Sequence, residues 1–312
     1  MRSFFFIKIS LIFNILLKKH FSYVILKAVI ETIFKLKENY MKLGTMVHLG
    51  DNVIEKIADV KKLGFESFQL CCWNFDYFTD EWAEKIKKAT EKNGLEISAV
   101  WCGWTGEAQW NFARGYNTLG IVPTYFRAKR IEELKRGSDF AKKLGVVDFA
   151  THMGFLPENP DTDEFRAVVI AIRDIAEYCK ANGQYLLFET GQETPITLKR
   201  TIQCVGTGNL GINLDPANLL LYGKANPCDA VDIFGDYVRG VHAKDGEYPT
   251  NPEYLGEEKR IGDGRANFPV LIKKLIEHGY DASITIEREI DGDKQIEDII
   301  YAKKFLEDIL NG

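Results

Sequence analysis

Eight times between Met41 and Gly312, a short run of β-branched, aromatic or leucine-rich residues gives way to a longer amphipathic stretch. Parallel neighbours need a crossover long enough to bring the chain back, so this alternation implies βα units and a parallel sheet. The expected strands are Leu43–His48, Ser67–Cys72, Leu95–Trp101, Val147–His152, Tyr185–Glu189, Leu210–Asp215, Val238–His242 and Ser283–Glu287. Helices are expected over Val53–Leu63, Glu81–Asn93, Arg130–Leu144, Asp163–Ala181, Pro195–Cys204, Phe268–His278 and Ile296–Leu310, with helical turns near Pro216–Leu221 and Ala230–Phe234. In the fourth helix, Ala167, Ile170, Ala171, Ile175 and Ala176 mark the expected inner face. Gly64, Gly94, Gly145, Gly183, Gly206 or Gly208, and Gly279 fall where helices should end, as C-cap glycines do. Eight such units over residues 41–312 fit an α/β fold, a (β/α)8 TIM barrel of a single domain, whose chemistry sits at the C-terminal ends of its strands. A doubly wound open sheet is the alternative, but no Gly-x-Gly-x-x-Gly opens the first unit.

Residues 1–40 differ from the rest. They contain neither Gly nor Pro, and the longest mostly apolar run, Ile9 to Leu17, is too short to span a bilayer, which needs about 20 residues. Lys18-Lys19-His20 stands where a signal peptide would need small residues. Lys37-Glu38 can be encoded AAGGAG, a ribosome-binding sequence, two codons before Met41. The expectation is an N-terminal extension that the native protein does not translate, with Met41 as its start; a packed helix and a membrane anchor are the alternatives. Formal net charge is −5, yet the first forty residues hold seven Lys/Arg against two Asp/Glu, so the body is net −10. An acidic body argues against a nucleic-acid surface. The six cysteines show no Cys-x-x-Cys spacing and read as reduced thiols of a cytoplasmic protein.

Four consecutive apolar runs break on ionisable residues: Phe188 on Glu189, Leu214 on Asp215, Val241 on His242 and Ile286 on Glu287. On a barrel these would be neighbours around one side of the mouth. Three carboxylates converging there would repel one another; a divalent cation resolves this, and oxygen ligands with one imidazole suit Mn²⁺ first, with Mg²⁺, Co²⁺ or Zn²⁺ open. Capping or salt-bridging at strand–loop junctions is the bland alternative. Lys244 shares a strand face with His242 and can polarise a carbonyl or hydroxyl. Asp245 orients His242 or a loop, or is simply a surface turn residue. His152, ending the fourth run, can act as a base, and His48 ends the first. Asn218 lies one helical turn beyond Asp215, and Glu193 four residues beyond Glu189. Aromatics crowd the second and third ends: Trp73, Phe75, Trp101, Trp104, Trp110 and Phe112. Gly262-Asp263-Gly264 precedes a helix and could cradle a phosphate through its amides.

Read together, Phe188-Glu189-Thr190, Asn213-Leu214-Asp215-Pro216-Ala217-Asn218, Val241-His242-Ala243-Lys244-Asp245, Ile261-Gly262-Asp263-Gly264 before Phe268, and Thr285-Ile286-Glu287 resemble the xylose isomerase-like barrel superfamily. Its sugar phosphate isomerase/epimerase group is the nearest in pattern. The resemblance implies a single divalent metal held by Glu189, Asp215, His242 and Glu287. It further implies that Glu189 and Glu287 move a proton at a carbon beside a carbonyl through an enediolate; His152 and Lys244, by their own places at the strand ends, would assist. His48, Trp73, Trp101, Trp104, Glu193 and Asn218 would bind a small sugar or keto-sugar, the rings lying against its C–H faces. Two positions depart from the ketose 3-epimerases, which have histidine where this chain has Asn218 and arginine where it has Tyr248. Lysine two after the histidine is more similar to inosose dehydratases and to lyases that act on 3-oxo-glucosides, so a lyase is the alternative outcome; a non-catalytic metal- or sugar-binding barrel is a remote one. The three-zinc endonuclease relatives would need more histidines than His48, His152, His242 and His278. Neither nucleic acid nor a membrane is an expected partner, while a homo-oligomer or partner subunit is left open.

Overall fold

The structure, a computed structural model, describes residues 41–312; the expectation for residues 1–40 and the Met41 start lies outside the described residues. Eight parallel strands close into a barrel: β1 (Leu43–His48), β2 (Ser67–Cys72), β3 (Glu96–Cys102), β4 (Asp148–Thr151), β5 (Tyr185–Glu189), β6 (Leu210–Leu214), β7 (Val238–Ala243) and, last in the chain, β10 (Ile284–Ile286). Their order around the barrel is β1-β10-β7-β6-β5-β4-β3-β2, so β10 closes the circle by pairing with both β1 and β7. Outside it run α1 (Val53–Lys62), α2 (Asp80–Asn93), α3 (Phe112–Thr118), α4 (Thr124–Leu144), α5 (Asp163–Ala181), α6 (Pro195–Val205), α7 (Pro216–Leu221), α8 (Pro227–Phe234), α9 (Phe268–Glu277) and α10 (Asp293–Asn311). This is the single-domain TIM barrel that the alternation implies.

The helices begin and end where local chemistry directs. Thr79, Thr162 and Thr194 each accept the orphan N–H three residues on, and Pro195 follows Thr194 at the first helical position. The expected C-cap glycines all take positive φ, Gly94 at 61° and Gly145 at 75° among them. The main apolar core lies between strands and helices, whereas the barrel interior holds Cys71, Trp101, Ala150 and Leu187 in one small layer.

The structure differs from the sequence reading in four places. The stretch after β3 is not simply a loop: Asn111 caps α3 by accepting from the Arg114 N–H, and α4 begins at Thr124 rather than Arg130. The loop after β7 contains a two-residue ribbon, β8 (Asp245–Gly246) against β9 (Glu258–Lys259). On α5 the expected Ala171, Ile175 and Ala176 are buried and Phe165, Val168 and Ile172 join them, while Ala167 is half-buried and Ile170 is 64% exposed, because Ile170 falls about 140° around the helix from Phe165. Phe75 does not face the mouth; it sits in the core, 4.8 Å from the Phe78 ring. No helix among the described residues is long and apolar enough to cross a membrane.

Candidate active site

Each strand-end group is delivered by a local device. Glu189 is the last residue of β5. Asp215 caps α7 with Oδ1, which accepts from the Asn218 N–H at 2.8 Å, and this leaves Oδ2 free to turn inward. The Thr190 hydroxyl accepts from the Asp215 N–H and donates to the Asp215 carbonyl, both at 2.8 Å, locking the ends of β5 and β6 together. Glu287 follows β10, its N–H bonded to the Ala243 carbonyl at 3.3 Å. His242 turns Nδ1 toward all three carboxylates, at 3.4 Å from Glu189 Oε1, 3.6 Å from Asp215 Oδ2 and 3.0 Å from Glu287 Oε2. One ligand atom from each of the four residues lies within 4.8 Å of every other.

The opposite face of the imidazole is held by groups the sequence reading passed over. His242 Nε2 lies 2.6 Å from Gln69 Oε1 and 2.9 Å from Asn213 Nδ2, and Gln69 also donates to Asn213 Oδ1. A Gln69 oxygen accepting from Nε2–H fixes the tautomer and leaves the Nδ1 lone pair for a cation, a common outer-shell arrangement. Nδ1 and Asp215 Oδ2 are both buried, and neither makes a well-aligned hydrogen bond although Glu287 Oε2 lies 3.0 Å from the first and Lys244 Nζ 3.5 Å from the second. Two such acceptors beside two more carboxylates fit a hard divalent cation.

Charge in the cluster is finely opposed. Burial alone would raise Glu287, but the Lys244 ammonium and the His242 ring, when protonated, bring its carboxyl down to about 2. Burial would also raise Glu189, which the His152 and His242 imidazoles hold well below the usual carboxylate range. Burial would lower Lys244, yet Glu287, Asp215 and Glu289 keep its ammonium well above its ordinary value. Its Nζ lies 3.4 Å from Glu287, 3.5 Å from Asp215 and 3.0 Å from Glu289, and it donates to Asn218 Oδ1 at 3.3 Å. Asn218 in turn donates to Glu189 at 3.4 Å, linking the two sides of the cluster. His152 Nε2 stands 3.3 Å from Glu189 Oε1, and the Trp101 indole N–H donates to Glu189 Oε2.

A wall of indoles rises beside this group. Trp73 lies 5.1 Å from Trp101 and 5.7 Å from Trp104, and Trp110 lies 5.0 Å from the His152 ring. Gly103 permits the close stacking, since a Cβ there would fall 2.2 Å from the Trp73 ring. The segment carrying the wall is bound to α4 by Arg130, fully buried, which donates to the carbonyls of Thr105, Glu107, Thr118 and Gly120.

A family model described as the xylose isomerase-like TIM barrel matches residues 57–309. The chain belongs to this family. A xylose isomerase domain protein from Planctomyces limnophilus is 31% identical, with a TM-score of 0.81 over 86% of this chain and 97% of that one. An uncharacterised protein of Methanocaldococcus jannaschii is 33% identical over 287 residues, 86% of this chain and 89% of that protein. The crystal structure of D-psicose 3-epimerase in the presence of D-fructose shares the fold at 17% identity, with a TM-score of 0.65 over 87% of this chain and 100% of that one.

In this xylose isomerase-like barrel, then, Glu189, Asp215, His242 and Glu287 come together, and Lys244, His152, Asn218 and Trp101 touch them. Trp73 and Trp104 stand in the wall, Glu193 is buried nearby, and His48 is exposed at the end of β1 without joining the cluster. The phosphate cradle expected at Gly262-Asp263-Gly264 is not available, because its amides are already taken. Gly262 N–H and Gly264 N–H donate to Asp245 Oδ2, and Gly246 N–H and Ala266 N–H donate to Oδ1. Asp245 is therefore a buried loop clamp and not a surface turn residue.

Burial raises the Glu193 carboxyl to about 7 against an ordinary 4.5. Between those values the unfolded chain sheds a proton that the folded chain keeps, so stability falls as pH rises and levels off above about 7. Glu193→Gln removes that slope. In urea unfolding the variant should match the parent near pH 4.5 and exceed it at pH 8 by on the order of 3 kcal/mol.

Proposed function

We propose that this protein is a divalent-metal-dependent sugar isomerase or epimerase that moves a proton at a carbon next to a carbonyl. The observation that carries the reading is the pair of carboxylates, Glu189 and Glu287, facing one imidazole nitrogen at 3.4 Å and 3.0 Å, each with its own supporting donors. Glu189 is steadied by Trp101, His152 and Asn218, Glu287 by Lys244. Glu189, Asp215, His242 and Glu287 would hold one cation, Mn²⁺ in first place on their donor types with Mg²⁺, Co²⁺ or Zn²⁺ as alternatives. Such a cation, when bound, supplies Lewis-acid stabilisation of negative charge developing on the substrate carbonyl oxygen.

The rest falls to the chain's own groups. One glutamate takes the proton from the carbon, the C–H electron pair moves into an enediolate, and the other glutamate returns a proton to the opposite face. Lys244 donates toward the carbonyl or the neighbouring hydroxyl, and His152 keeps Glu189 ionised and correctly turned. The indole wall excludes water and takes the C–H face of the ring. Membership in a family with epimerase neighbours such as D-psicose 3-epimerase supports this reading.

A lyase or dehydratase acting on a keto-sugar is the second reading, favoured by the position of Lys244. An ammonium 3.4 Å from the Glu287 carboxylate could protonate a departing hydroxyl at the neighbouring carbon. The deciding experiment incubates the full chain with Mn²⁺ in D₂O and a panel of ketoses, inososes and 3-oxo-glucosides, followed by NMR and mass. Deuterium beside the carbonyl with an inverted or shifted hydroxyl supports the isomerase. Loss of water or an aglycone supports the lyase, and silence across the panel sinks both. Lys244→Met should retain stoichiometric Mn²⁺ by atomic absorption while exchange slows by about 10²-fold, the lower end for loss of an acid or polarising group.

A further inference from the structure

Twelve buried side-chain N and O atoms lack a hydrogen-bond partner among the described residues, and six of them belong to the segments that follow β3, β4, β5 and β6. They are Trp104 Nε1, His152 Nδ1, both polar atoms of the Gln192 amide, Glu193 Oε1 and the Tyr222 hydroxyl, and although the hydroxyl faces the Gln192 amide, one contact between them cannot use the donors and acceptors of both. The five residues are between 2% and 5% exposed. Leaving such a group unpaired costs about 1–3 kcal/mol, and folded proteins hold few of them, so a local concentration points to a ligand that completes the bonds.

Their placement ties them to the reacting centre. A Cβ at Gly191 would lie 3.3 Å from Asn218 Cβ, 3.6 Å from His152 Cε1 and 3.7 Å from Tyr222 Cδ2. Tyr222 is thus one glycine away from two residues that contact Glu189. Rings border the set, with Phe155 at 5.8 Å and Phe112 at 6.1 Å from the Tyr222 ring. The chemistry offered is neutral and two-way: an amide that donates and accepts, a phenol that does both, and an indole donor. The cations acting on Glu193 are His152, which already faces Glu189, and Lys224, whose ammonium lies 5.8 Å from the Phe155 ring and is opposed by the Glu193 carboxylate. The amide nest that follows β7, which could have received an anion, is filled by Asp245.

We propose that Gln192 and Tyr222 form a specificity subsite for an uncharged, hydroxyl-bearing part of the substrate, so that the substrate is a non-phosphorylated sugar. This rests on the sugar isomerase reading, and the test separates the two.

The full chain with Mn²⁺ is assayed in D₂O for deuterium exchange into D-fructose, D-tagatose and D-xylulose and into their terminal phosphates. Neutral ketoses should exchange with kcat/KM at least about tenfold above their phosphates. Tyr222→Phe, which keeps the ring packing, and Gln192→Ala should each raise KM for the neutral ketose by about tenfold while kcat stays within about threefold, since neither group touches the reacting carbon. Faster exchange of the phosphates, or variants with unchanged KM, overturns the subsite while leaving the isomerase reading intact. If no sugar exchanges, the isomerase reading fails and calorimetry decides the subsite. Binding of the neutral ketose that Tyr222→Phe weakens supports it; equal or tighter binding of the phosphate overturns it.

Discussion

Replacing Glu287 by Gln is expected to slow solvent-proton exchange into a substrate ketose by about 10²–10⁴-fold, the range for removing a positioned general base. The amide keeps the shape of the side chain and one oxygen, yet it cannot hold a proton taken from carbon. Glu287 also lies against Lys244 and His242, at 3.4 Å and 3.0 Å, so its charge holds both of them in the cluster. The measurement is deuterium incorporation at saturating Mn²⁺, with metal content determined on the same sample. Saturation matters because Glu189, Asp215 and His242 remain to bind the cation, and the loss of a base must be separated from the loss of the ion. His242→Ala serves as the control that empties the site. Should the fully metallated Glu287→Gln protein exchange at the parent rate, the proton is handled elsewhere and the assignment of the two glutamates is wrong.

Asp245→Ala is expected to destabilise the protein by on the order of 4 kcal/mol in urea unfolding at pH 7. Four backbone N–H groups, from Gly246, Gly262, Gly264 and Ala266, converge on this one buried carboxylate. Alanine leaves all four without an acceptor in a space where Gly264 already passes so close that a Cβ would sit 2.3 Å from Asp245 Oδ1. Asp245→Asn should cost less, because its amide oxygen still accepts from two of the donors while its NH₂ opposes the others. A ligand-binding role for these amides predicts the reverse pattern, with stability unchanged and affinity for an anion lost. Equal stability of Asp245→Ala and the parent would show that the loop is held by other means.

What the sequence made legible follows from contrast. Glu189, Asp215, His242 and Glu287 stand out because each interrupts an apolar run, and a strand interior tolerates such a break poorly. The eight-unit pattern was equally plain, since strand and helix periods differ. Groups embedded in a favourable context were hidden. Gln69 and Asn213 sit inside otherwise apolar strands and look like chance polar residues, although Asn213 shares the face of Asp215 two positions on. Arg130 reads as one more cation in a charged helix, and nothing local reveals that its guanidinium turns inward to four carbonyls far away in sequence. Gln192 and Tyr222 lie beside the motif residues without forming any motif. Asp245 was ambiguous for the opposite reason: a carboxylate before glycine is usual in exposed turns, and three of its four amide partners arrive seventeen to twenty-one residues later.

The grip of Arg130 on main-chain oxygens bears on how a barrel of this kind can change its diet. Its hydrogen bonds fix the course of the 105–120 segment over the mouth without reading which side chains that segment displays. Glu133 adds to the hold through the Thr105 N–H. The strand ends that carry Asp215 and His242 are braced separately, by Thr190 and Gln69. Two separate anchorages make the molecule modular: exposed positions of the 105–120 segment can be rewritten while the cluster of Glu189, Asp215, His242 and Glu287 is inherited untouched. Libraries aimed at altered selectivity therefore belong between the Arg130-bound carbonyls, where sequence can drift without collapsing the scaffold.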